Sequence, residues 1–233
     1  MVRINKLLSN LGICSRKEAA RYIEDGRIKI NGVLSIPGQW VEEDDEILID
    51  DQPVAAREKV YIAFNKPVGI TCTAEKTVKD NIIEYVNYPE YIFPVGRLDK
   101  DTVGLLLLTN DGDLNHRLIS PKWKVDKVYF AKIDQKVTEE DIEKFKHGIA
   151  LDDGYRCKEA ILEIQKASEE GSEIVLTIQE GKFHQVKRMF EAVGKKVTYL
   201  KRIEFGTLPL DEDLEEGEYR ELTEEEIAIL KGF

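Results

Sequence analysis

A chain of 233 residues, 42% apolar and 34% charged, describes a soluble globular protein with length for two domains or one large one. No apolar run approaches the roughly 20 residues of a membrane span, and no long apolar segment follows the charges that begin at Arg3, so the cytoplasm is the expected location. The net charge of −11 argues against a nucleic-acid partner until its distribution is seen.

Residues 1–34 hold seven basic side chains (Arg3, Lys6, Arg16, Lys17, Arg21, Arg27 and Lys29) against three acids, a local charge of +4. The remaining −15 falls largely in the acidic stretches Glu42–Asp51 and Asp211–Glu226. A basic patch on an acidic body neutralises phosphates locally, while the acidic surface limits indiscriminate binding.

In chain order, Leu7, Leu8 and Leu11 predict a helix closed by Gly12. Ser15-Arg-Lys-Glu18 has the capping-box pattern and opens a second helix that runs through Ala19 and Ile23 to Gly26. On that helix Lys17 and Arg21 are four apart and share a face, with Arg16 in the first turn. Charge pattern alone favours an ordinary solvated face here. Ile28-Lys-Ile30 alternates like a strand, and Asn31-Gly32 supplies a tight hairpin turn. A linker near Asp51-Gln-Pro-Val-Ala-Ala56 divides the chain into expected domains 1–55 and 56–233.

Beyond the linker the chain changes character. Val60-Tyr-Ile-Ala-Phe64 reads as a buried strand turned by Lys66-Pro-Val-Gly69. Further strands are expected at Gly104–Thr109, Lys127–Ile133, Ala160–Gln165, Ile174–Ile178 and Lys196–Ile203. Helices are expected at Thr138–His147 and His184–Val193, the latter ending at Gly194, and a last one begins at the capping box Thr223-Glu-Glu-Glu226. Several strands follow one another without a helix between them. An α+β fold on a mixed, largely antiparallel sheet therefore fits better than a doubly wound parallel one.

Cys14, Cys72 and Cys157 are odd in number and far apart, which suits reduced thiols. His116, His147 and His184 have no metal-ligand spacing, and Asp111 and Asp113 flank Gly112 like turn and helix-cap acids. No metal and no cofactor are expected.

The stretch Gly96-Arg97-Leu98-Asp99, followed by Lys-Asp-Thr-Val-Gly-Leu-Leu-Leu-Leu-Thr-Asn-Asp-Gly, places one acid after an Arg and just ahead of a buried strand. An isolated Asp in such a place is more often a turn-forming or salt-bridged residue than a catalytic one. A glycosidase-type pair of Asp99 with Asp101 is conceivable, although no second acid has an evident role.

That stretch, Lys127-Val128-Tyr129, and Glu180-Gly-Lys-Phe-His-Gln-Val-Lys-Arg-Met-Phe190 together resemble the motifs of the pseudouridine synthases. Residues 2–50, with GICSRKEAARYIEDGRIKINGV as their core, resemble the S4 RNA-binding domain. The resemblance implies isomerisation of uridine to pseudouridine in ribosomal RNA, with the nucleotide flipped out of its stack. It makes Asp99 the catalytic nucleophile or base. Tyr129 then faces the substrate, and Lys187 occupies the position of the basic residue paired with the Asp, where a cation lowers the carboxyl pKa and holds its rotamer.

Arg188, about 100° away on the helix, is suited to phosphate or structural pairing. Arg97, two residues before Asp99 and pointing the same way on an extended strand, either fills the gap left by the flipped base or pairs with an acid. The seven basic residues of 1–34 become the RNA-binding set. Gly181-Lys-Phe-His-Gln-Val-Lys-Arg-Met189 and Ile119-Ser-Pro-Lys122 look closest to the small-subunit 16S rRNA branch, since large-subunit relatives typically carry Asn-Arg-Gln where Phe183-His184-Gln185 stands. A monomer acting on 16S rRNA or a partly assembled small subunit is the expected arrangement. The same chemistry on 23S rRNA, or a silent RNA-binding or ribosome-assembly protein, are the rivals.

Overall fold

The structure, a computed structural model, describes residues 1–42, 44–75 and 77–232. Its first part is built on two short helices, Ile4–Asn10 and Arg16–Glu24, packed on a four-stranded sheet. The second helix starts where Ser15 and Glu18 exchange side-chain and backbone hydrogen bonds of 3.0 and 2.9 Å, which satisfies two of the donors a helix start leaves orphaned. Ile28–Ile30 and Val33–Leu34 pair through Asn31 and Gly32, both at positive φ, the requirement of a tight hairpin turn. Ile4, Leu8, Ala19, Ile23, Ile28, Ile30 and Ile47 close a small core of their own.

The larger part carries a mixed sheet, nine-stranded among the described residues. Its main path runs Ile161–Ser168, Gly171–Ile178, Lys127–Ile133, Val197–Phe205, Val103–Thr109, Tyr61–Lys66 and Tyr219–Glu221. Only the pairing of Val103–Thr109 with Val197–Phe205 is parallel along this path; the others are antiparallel. The apolar run Leu105–Leu108 is buried on both faces because the sheet has a core on each side. Leu106 and Leu108 join Ile62, Phe64, Phe145 and Phe190 on one face, while Leu105 and Leu107 join Tyr61, Ala63, Leu114, Leu118 and Phe205 on the other. Continuous hydrophobicity is what a strand covered on both faces requires.

The two parts meet at the end of the first helix. Asn10 Nδ2 donates to Asp113 at 3.1 Å, Arg57 N donates to Leu11 O at 3.2 Å, and Asn110 holds the Glu58–Val60 backbone through bonds of 2.8 and 2.9 Å. Gly12 lies at φ +71°, and a Cβ there would come within 2.9 Å of the Asn110 side chain. The Asn-Asp-Gly after the Leu run therefore has two duties: Asp111 caps the Gly112–Ile119 helix, and Asn110 anchors the linker.

Ile28–Ile30 and Lys127–Ile133 match their expected bounds, and the others shift by one to three residues. The helices Ile82–Val86 and Gly112–Ile119 lie outside the sequence expectations; the first is only five residues long. Among the described residues no helix is long and apolar enough to cross a membrane.

Candidate active site

Asp99 lies in the turn between Phe93–Pro94 and Val103–Thr109, at the edge of the sheet where the parallel pairing begins. Backbone contacts hold this turn on every side. Leu98 N donates to Cys72 Sγ at 3.4 Å, Thr102 N to Asp99 O at 3.1 Å, and Gly69 N to Lys100 O at 2.8 Å. Gly104 brings the chain into the sheet at φ +99°, and a Cβ there would sit 2.3 Å from the Arg202 carbonyl oxygen. Only glycine permits that approach.

Lys66 completes the support. It is fully buried, and its ammonium donates to the carbonyl oxygens of Pro67, Lys100 and Thr102 at 3.0, 3.3 and 2.9 Å. Burial pulls its pKa below the ordinary lysine value, against the charges of nearby Cys72, Asp101 and Asp99. The side chain thus clamps the end of Tyr61–Lys66 to the Asp99 turn. In the sequence Lys66 reads only as part of a turn, because a Lys before Pro carries no local sign of burial.

The Asp99 carboxylate, 25% exposed, accepts a hydrogen bond from Lys187 Nζ at 3.0 Å. Lys187, 18% exposed, also donates to Asp101 at 2.6 Å, so one cation bridges two carboxylates. Burial works against the Lys187 cation, but the bonds and charges of Asp101 and Asp99 outweigh it and hold its pKa above the usual value. The same bond holds the Asp101 carboxyl below the usual range. His184 Nε2 stands 3.7 Å from the other oxygen of Asp99. No local pattern in the sequence signals the share of Asp101 or the approach of His184.

The helix Gln185–Ala192 explains which cation arrives. Gln185, Val186, Met189 and Phe190 are buried, which turns Lys187 to Asp99 and sends Arg188 elsewhere. Arg188 Nε donates to Asp152 at 2.7 Å and its Nη2 lies 2.7 Å from Asp153, tying the helix to the turn at 151–154. The turn ahead of the helix is braced by Glu180, whose two oxygens accept from Tyr155 Oη at 2.7 Å, Lys158 N at 2.9 Å and Gln185 Nε2 at 2.6 Å. His184 caps the helix in the left-handed region, φ +49°, rather than lying within it.

Arg97, Leu98, Asp99, Thr102, Tyr129 and His184 are among the residues lining a small, open pocket. Tyr129 is buried as a residue, and its hydroxyl makes no hydrogen bond among the described residues. Arg97 lines the wall without any ion pair among the described residues. It does not lie on a strand as supposed: Gly96 at φ +70° ends the extended segment, and Arg97 reaches the pocket from an irregular turn.

Lys127, two residues before Tyr129, is half-buried, and its ammonium donates to the Val125 carbonyl oxygen at 3.0 Å. Burial and the neighbouring Arg202 push its pKa down to about 8. The folded protein then gives up this proton between about pH 8 and the ordinary 10.5 while the unfolded chain keeps it, so stability from this group rises with pH across that window. Lys127→Met should therefore stabilise the protein near neutrality, by up to about 3 kcal/mol, with the gain shrinking above about pH 8. Urea unfolding of both proteins on either side of the window measures this, and a gain independent of pH would refute it.

The basic residues of the first domain divide into two groups. Lys6, Arg16 and Arg21 are exposed, with no ion pair among the described residues. Lys17 pairs with Glu75 at 2.8 Å, Lys29 with Asp51 at 2.6 Å, and Arg27 with Asp50 while lying over the Tyr22 ring. Arg3 lies 5.6 Å from the Trp40 ring centre. Exposed pairs of this kind are weak and are readily exchanged for a phosphate. Among the described residues no group of His, Cys, Asp or Glu is placed to hold a metal ion.

Residues 60–192 match the RNA pseudouridylate synthase family and residues 2–47 the S4 domain. An uncharacterised RNA pseudouridine synthase of Bacillus subtilis (strain 168), YtzG, is 42% identical over 238 aligned residues covering 98% of each chain. The ribosomal large subunit pseudouridine synthase B of the same organism is 39% identical, covering 100% of this chain and 96% of its own. A crystal structure of a pseudouridylate synthase superposes with a TM-score of 0.73 at 37% identity, over 99% of this chain and 100% of the other. With both domains matched and the whole length shared, the chain belongs to the RNA pseudouridine synthases, isomerases that act on RNA.

Proposed function

We propose that this enzyme isomerises a single uridine of 16S ribosomal RNA, with Asp99 as the catalytic carboxylate acting on a nucleotide flipped into the pocket. The observation that carries the reading is the pairing of Asp99 with Lys187 at 3.0 Å in the wall of a pocket where Tyr129 and Arg97 keep their polar groups unspent. The reaction breaks the bond from N1 to the ribose C1′, turns the freed uracil, and joins C5 to C1′; the C5 proton leaves and N1 gains one. No electron donor, metal or net water is consumed. A carboxylate beside the sugar or base serves as nucleophile or base, and the bond from Lys187 holds it in place. Tyr129 offers a flat face to the detached uracil, and Arg97 is placed to fill the gap left in the RNA stack.

Phe183-His184-Gln185 favours the small-subunit substrate. The 39% identity to a large-subunit enzyme favours a second reading, the same chemistry on 23S rRNA. Mapping pseudouridines after incubation with 16S transcripts, 23S transcripts and partly assembled small subunits separates the two. One new site in 16S rRNA supports the first reading, one in 23S rRNA the second, and none in any RNA overturns both.

Residues 1–55 supply affinity rather than chemistry in this reading. Changing Arg16, Lys17 and Arg21 together to Ala should weaken RNA binding and reduce the slope of log affinity against log salt by about 2 to 3, since fewer counterions are released. Conversion at saturating RNA should persist. An unchanged salt slope would mean that this face points to solvent.

A further inference from the structure

Phe183 exposes 73% of its surface, whereas Phe64, Phe145, Phe190 and Phe205 are all buried. Its ring is not loose. It stacks on the His184 ring with centroids 3.8 Å apart and planes 18° from parallel, and its carbonyl accepts a bond from Arg188 Nη1 at 3.4 Å. His184 reaches this position through a left-handed backbone, φ +49°, which is uncommon for a residue other than glycine. The same conformation directs its Nε2 to Asp99 and makes it part of the pocket wall. The result is a two-ring stack with its inner ring in the pocket and its outer face bare.

We infer that Phe183, backed by His184, is a stacking platform for the unpaired nucleobase next to the modified uridine. This rests on the proposal that the Asp99 pocket receives that uridine. Extruding one nucleotide strips a stacking partner from each neighbour, and a bare aromatic face one residue from the pocket wall replaces it without regard to which base is present. A rigid ring suits the task better than a mobile one, because little freedom is lost when the base lands.

Phe183→Ala and Phe183→Trp test the inference on whichever ribosomal transcript the wild type modifies. The Ala variant should raise KM about tenfold, with kcat within about twofold and an unchanged melting temperature, and Trp should restore KM. A single 2-aminopurine in an oligouridine strand should be quenched on binding the wild type and the Trp variant but not the Ala variant. A KM unchanged by Ala, a loss that Trp does not recover, or equal quenching by all three proteins would overturn the platform; the first two would leave the proposed function standing. Absence of pseudouridine in every RNA would sink that function instead, and the quenching measurement would still decide the role of Phe183.

Discussion

Asp99→Asn is expected to lower pseudouridine formation by at least about 10³-fold while RNA affinity stays within a few-fold of wild type. Asn has nearly the same shape but cannot act as an ionised nucleophile or base. The turn that carries it should survive the change. Lys187 retains its 2.6 Å bond to Asp101, and Lys66, Cys72 and Gly69 hold the backbone without using the Asp99 side chain. Chemical mapping of product and filter retention of RNA measure the two quantities separately. Substantial turnover in the Asn variant would remove Asp99 from the proposed role.

Lys187→Met is expected to lower kcat by about 10²-fold or more with little change in KM, because the loss falls on the orientation of Asp99 and on the positive charge beside it, not on RNA contacts. The remaining groups do not replace it. His184 stands 3.7 Å from Asp99, and Asp101 becomes an uncompensated negative neighbour. Lys187→Arg keeps the charge and should recover part of the rate. Since the carboxylates hold Lys187 above the ordinary lysine value of 10.5, its electrostatic contribution to stability is fully present below that pH and is lost only as pH rises beyond it.

Arg188→Ala should leave kcat nearly unchanged and cost little stability, since Asp152 and Asp153 are largely exposed. A steep fall in kcat for Arg188→Ala, with Lys187→Met unaffected, would reverse the assignment of the two cations.

Much of this architecture was legible in the residues themselves. The capping boxes at Ser15 and Thr223, the turn at Asn31-Gly32 and the strand Lys127–Ile133 all depend on interactions spanning a few residues, so their patterns are written locally. That only one of Lys187 and Arg188 can face the pocket belongs here too, although it is the family resemblance that singles out Lys187. The helical period that buries Val186, Met189 and Phe190 leaves room for only one of two adjacent cations at the pocket.

Tertiary structure alone decided the rest. Lys66 meets the backbone of residues 100 and 102, Lys187 meets Asp101 across 86 positions, and Arg97 arrives from a turn where a strand was supposed. His184, left-handed in its backbone, is brought between Asp99 and the Phe183 ring only by the folded chain. Local periodicity and caps read out energies that act within one helical turn or one hairpin. The support around Asp99 is made by groups far apart in the chain, and it exists only once the sheet brings Tyr61–Lys66, Val103–Thr109 and Val197–Phe205 side by side.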